Sequence, residues 1–165
     1  MWRYVKVAIV IALLAFLLPW MSASLLGREV VAAAGWQLAF GQFHGGIGSV
    51  SIDAHAFTNY YFIVALALIA VGLILSLLRR RFAGVAVATS LLAMAFVWAG
   101  SNQYTADRVE AAASKSAGIL GSLAASAVEI DWRFGYWVSL LALGIAAALA
   151  LLAIGDTDAK PRSPR

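Results

Sequence analysis

The chain contains no cysteine, which excludes disulfides, thiolate metal sites, iron–sulfur clusters and thiol redox chemistry. It is also poor in charge. Only 12% of its 165 residues are Asp, Glu, Lys or Arg, against about 25% in an ordinary soluble domain. A chain this short exposes much of its surface whatever its fold, so a large core does not account for 63% hydrophobic residues; hydrocarbon as solvent does. No Asp, Glu, Lys, Arg or His falls in the central part of any long apolar run. Ionisable groups inside a bilayer are costly and, where they occur, mark proton relays, ion paths or counter-ions. Their scarcity argues against a proton-coupled transporter and against haem held by intramembrane histidine. The formal charge of +4 is small and unevenly spread, which reads as membrane topology and not as a nucleic-acid partner.

Four apolar runs are present, at residues 5–20, 60–78, 83–100 and 135–154. A spanning helix needs roughly 20 residues, within a range of about 17–25. The expected fold is therefore an all-α membrane protein, a four-transmembrane-helix bundle with a small extracytoplasmic cap. The first run is the shortest, with Lys6 near its start and Pro19 near its end. Lys6 snorkels to the interface and Pro19 stands where a helix ends or kinks. This run has a rival reading as a secretory signal peptide: Arg3 and Lys6 as the positive region, Val7 to Leu18 as the apolar region, and Ser22-Ala23-Ser24 as the cleavage site.

Lys and Arg set the orientation. Eight of the twelve lie in residues 1–6, in the turn 79–82 that carries Arg79, Arg80 and Arg81, and in the tail 155–165. The other four lie in the long loops 21–59 and 101–134, with six acids. The first group nets +6 and the second −2, so the positive-inside rule places both termini in the cytoplasm and both long loops outside. Trp20, Tyr60, Tyr61, Trp98, Trp132, Tyr136 and Trp137 cluster at the outer ends of the spans, as an aromatic belt of interface anchors. The Arg triplet holds the inner turn in place and suits anionic headgroups. Abundant Ala, and nine Arg to three Lys, suit a GC-rich bacterial genome, hence a multi-pass bacterial inner-membrane protein.

Alternating apolar and polar residues mark strands in the outer loops. Val50 to His55 alternates, and Gly35 to Phe40 does so less cleanly, with the Gly41–Gly48 run between them as a turn. This predicts a short β-hairpin, to which Val128–Trp132, also alternating, adds a strand. Residues 106–114 and 117–127 read as helix-prone, the latter weakened by Gly118 and Gly121.

Small residues recur at four-residue spacing in Gly72 and Ser76, Gly84 and Ala88, and the ladder Ala142, Ala146, Ala150. In lipid, close backbone approach drives helix association, so these positions serve packing within the bundle or a face for another membrane protein. The interior hydroxyls Ser76, Thr89, Ser90 and Ser139 read as packing groups bonded to helix backbone. His44, Asp53 and His55 form the one conceivable metal set, without a recognised ligand spacing; solvated loop residues are the alternative. Glu129 and Asp131 beside Trp132 make a polar rim near an aromatic ring, open to a cation, a sugar or solvent alone. The glycine run has no phosphate-binding spacing.

Four helices, a tight inner turn and a longer first outer loop make the layout similar to the claudin-like tetraspan plan. That family's first loop carries tryptophans and two cysteines, where this chain has Gly35-Trp36 and none. The resemblance is one of topology, and no functional residue follows from it. The expectation is a non-catalytic accessory, assembly or structural subunit, without cofactor. Its partners are membrane lipids and another integral membrane protein or a second copy, with no nucleic acid. A small-solute transporter or channel component, with a Ser/Thr-lined pore, and an outer-face metal-binding or enzymatic module remain as alternatives.

Overall fold

The computed structural model describes residues 2–25, 28–42, 58–78, 82–105 and 128–158. In chain order these form α1 (Trp2–Ala15), β1 (Pro19–Leu25), β2 (Arg28–Ala34), α2 (Gly35–Phe40), α3 (Tyr60–Leu78), α4 (Ala83–Ser101), β3 (Val128–Trp132) and α5 (Phe134–Asp158). Among the described residues, α3, α4 and α5 are long and apolar enough to cross a membrane.

The faces of these helices invert the pattern of a soluble protein. The buried stripe of α3 runs Phe62, Ala65, Ile69, Gly72, Ser76, at alternating three- and four-residue steps. That of α4 includes Ala83, Ala86, Thr89, Ser90, Ala93 and Val97. Outside lie the large aliphatics, among them Val71, Ile74, Leu91, Leu92, Leu141, Ile145 and Leu152. Small residues inside let the helix backbones approach closely. A Cβ added to Gly72 would sit 2.6 Å from Thr89 Oγ1, so the α3–α4 hairpin closes at that point. The hydroxyls bond their own helices: Ser76 Oγ donates to Leu73 O at 2.8 Å, and Thr89 Oγ1 to Val85 O at 2.9 Å. Ser139 departs from the expectation, its hydroxyl being buried without a hydrogen-bond partner. α1 packs along α5 and α3, and α4 along α3 and α5.

The first apolar run ends as helix at Ala15, five residues before the expected end at Trp20. Phe16, Leu17 and Leu18 continue it as a tighter turn, with i→i−3 bonds from Phe16 N to Leu13 O, Leu17 N to Leu14 O and Leu18 N to Ala15 O. Pro19 has no N–H to extend either ladder and stands at the first position of a strand, where none is needed.

A three-stranded antiparallel sheet of order β2-β1-β3 caps this end of the helices. Val128–Trp132 is a strand and pairs with residues of the first long loop, as its alternation predicts. The hairpin is not where it was expected. Gly35–Phe40 is helical, not a strand, and the pair is formed one element earlier by β1 and β2. Two local features favour the helix: Gln37 Oε1 accepts from Ala34 N at 2.9 Å at its start, and Gly41, at φ 69°, closes its end in the left-handed region. Residues 50–55, the other expected strand, lie outside the described residues. So do 106–127, with both expected helical stretches.

Candidate interaction surface at the cap

Register decides which side chains the cap presents. Met21 faces Trp132 and Ala23 faces Ile130 across the β1–β3 pair; Ser22 faces Asp131 and Ser24 faces Glu129. Opposed residues share a face, so one side of this pair is apolar and the other polar. Ile130 and Trp132 pack against the core, while Glu129 and Asp131 are exposed. Arg133, just past β3, donates from Nε to Ser22 Oγ at 2.7 Å.

Beneath the apolar side lies an aromatic cluster centred on Trp20, which is fully buried. Its ring meets Phe16 at 4.4 Å, Phe62 at 5.3 Å and Tyr136 at 5.9 Å between centroids. Its Nε1–H donates to Ala15 O at 2.7 Å, satisfying a carbonyl where α1 ends. Polar bonds tie the helix ends together over this cluster. Asn59 Nδ2 donates to Gly100 O at 3.0 Å, its Oδ1 accepts from Tyr61 N at 3.1 Å, and Ser101 Oγ lies 3.2 Å from Tyr136 Oη. Tyr104 stacks on Phe62 and meets Trp132 edge to face.

Tyr104 lies beyond the end of α4. Burial pushes its phenol above the usual 10.0, an effect that the Asn59 side chain partly offsets. The folded state therefore favours the neutral form. The resulting stability is fully present below pH 10.0 and declines as pH rises from there through the raised folded value. Ultraviolet titration at the phenolate band, wild type against Tyr104→Phe, is expected to remove one late-titrating tyrosine. Loss of a tyrosine titrating at or below the ordinary value would contradict this.

Between the chain leaving α4 and strand β3 runs a groove of about 710 Å³. One wall is residues 101–105, including Ser101 and Tyr104; the other is Glu129, Ile130, Asp131 and Trp132. Carboxylates, hydroxyls and aromatic rings thus line one groove, within the ~300–1,000 Å³ range of ligand sites. The sequence marked Glu129, Asp131 and Trp132; it gave no sign that Ser101 and Tyr104 would stand opposite them.

The other marked residues are scattered. Tyr60, Tyr61, Trp98 and Trp137 are exposed at helix ends near the cap, and Trp132 is half-buried. Trp20 and Tyr136 are buried and are not exposed anchors: Pro19 turns the chain inward, and the two rings pack together. Gly72, Ser76, Ala142, Ala146 and Ala150 face neighbouring helices. Gly84 and Ala88 lie on the outside, and a Cβ on Gly84 would meet nothing within 4 Å. His44, Asp53, His55, Arg79, Arg80 and Arg81 lie outside the described residues, among which no group of three His, Cys, Asp or Glu could hold a metal ion. No protein-family model, curated protein or solved structure matches the chain.

Proposed function

We propose that the chain is a four-span protein of a bacterial inner membrane, with both termini in the cytoplasm. It serves as a non-catalytic accessory or assembly subunit for another membrane protein. One observation carries this reading: every buried polar side chain among the described residues is neutral, and small residues make up much of the helix interfaces while many large aliphatics face out. Such an interior offers helix packing and no charged path, and such an exterior suits lipid and protein neighbours.

The fourth span is α1 with its tight extension. Fourteen α-helical residues and three in the tighter turn rise about 27 Å, close to the ~28 Å of nineteen-residue α3 and to the ~30 Å hydrocarbon core. Val5, Ile9, Ala12 and Phe16 are buried against the other helices. The cap then faces outward, at the end opposite the start of α1 with its Arg3 and Lys6.

The sheet supports retention of α1. Ser22-Ala23-Ser24 lies in β1, the central strand, paired on both sides. Cleavage there would remove Trp20 and divide the strand. Mass spectrometry of the purified protein is expected to find the N-terminal segment intact; a chain beginning near Ser24 or Leu25 would refute it.

Blue-native electrophoresis after gentle solubilisation tests the accessory role. A species larger than the monomer, containing a second membrane protein, is expected. A monomer under every mild detergent defeats the reading.

A further inference from the structure

We propose that the edge of β3 opposite β1, unpaired among the described residues, is the docking site for an extended segment of the partner, added to the sheet as a further strand and alternating basic with apolar residues. This rests on the accessory reading and names where and how the partner engages.

Among the described residues β3 is an edge strand, paired only with β1. In an antiparallel ladder, successive residues turn their N–H and C=O groups to opposite sides, so β3 aims part of its backbone away from β1. Residues 129–132 of this strand form one wall of the groove and residues 101–105 the other. A slot walled by consecutive strand residues suits an extended chain better than a compact ligand. Unpaired edges are templates for strand addition, where backbone bonds supply affinity and alternate side chains supply specificity.

Charge selects the occupant. An added strand continues the alternation of β3. On one face its side chains meet Glu129 and Asp131, which calls for Lys or Arg; on the other they continue the apolar side of Ile130 and Trp132. A second copy does not fit. Antiparallel self-pairing about Ile130 would set Glu129 of each copy against Asp131 of the other, and like charges directly opposed are destabilising. Arg133 reaches the same polar face through its Nε bond to Ser22, and two carboxylates against this one cation leave the face net acidic.

The test uses the full chain in phosphatidylcholine nanodiscs and three fluorescent six-residue peptides: alternating Lys and Val, alternating Glu and Val, and the Lys–Val peptide with a central proline. Saturable binding of the Lys–Val peptide is expected, with amide hydrogen exchange slowed at residues 128–132. Binding should weaken by about fivefold or more for the Glu–Val peptide and for Glu129→Gln/Asp131→Asn, from the lost opposite-charge pairs. The proline peptide, which lacks a ladder donor, should weaken similarly. Equal binding of the proline peptide would overturn strand addition and leave charge adsorption. Binding without protection of 128–132, or no binding beyond empty nanodiscs, would also overturn it. None of these results depends on the complex sought by electrophoresis, so the docking mode and the accessory role fail separately.

Discussion

Trp20→Ala lowers stability by about 3–5 kcal/mol, the range expected for removing a fully buried aromatic side chain. The indole is fully buried, touches three other aromatic rings and donates to Ala15 O. It sits where α1, the sheet, α3 and α5 meet, so its loss leaves a cavity that no single element can close. Trp98→Ala removes an equally large ring that is 59% exposed and is expected to change stability by within ~0.5 kcal/mol. Thermal unfolding of both variants in one mild detergent checks the pair. Equal shifts would mean that Trp20 is not a core residue and that the α1–β1 junction is misplaced.

The second large effect comes from two glycines that let that ring in. A Cβ on Gly35 would stand 2.6 Å from Trp20 Cε2, with Cδ2 and Nε1 both at 2.9 Å. A Cβ on Gly135 would meet Trp20 Cδ1 at 2.7 Å, and Leu18 Cβ and Pro19 O at 2.8 Å. Forcing a methyl into either place costs about 1–3 kcal/mol. The two differ in what can yield. All three atoms crowding Gly35 belong to the indole, so Gly35→Ala should be nearly neutral in a Trp20→Ala background. Gly135 also faces backbone, so Gly135→Ala should remain destabilising there. Gly84→Ala and Gly144→Ala, whose added methyls meet nothing within 4 Å, should gain about 0.5–1 kcal/mol from helix preference. A double-mutant cycle on melting reads all of these. Additive behaviour of Gly35→Ala with Trp20→Ala would disprove their contact.

Both predictions turn on a residue for which the chain alone suggested an exposed setting and which the structure buries. Trp20 follows an apolar run and precedes a polar loop, the usual setting of an interface anchor. Nothing local distinguishes a ring lying in headgroups from one turned into the core. Pro19 was legible as a helix end; the inward direction of the next residue depends on Gly35 and Gly135 arriving from distant parts of the chain. The hairpin misplacement has a related cause. Alternation in Met21, Ala23 and Leu25 against Ser22 and Ser24 was present, but it abuts an apolar run and also fits a signal-peptide cleavage site. Trp36–Phe40 alternated poorly, and the reach of Gln37 back to Ala34 N was the sign of a helix start. Val128–Trp132 was legible because strict period-two alternation over five residues fits a half-buried strand well.

The positions of the long apolar helices were readable from composition, since length and freedom from charge are properties of the chain in one dimension. The uneven distribution of basic residues, which underlies the proposed orientation, is likewise a matter of counting. Packing alone decided which face of each helix is covered, because these helices are apolar all round and carry little contrast from which to infer an inside. The same holds for the β3 groove. Ser101 and Tyr104 stand opposite Glu129 and Asp131 because β3 pairs with β1 beside the end of α4, a contact between residues far apart in the chain.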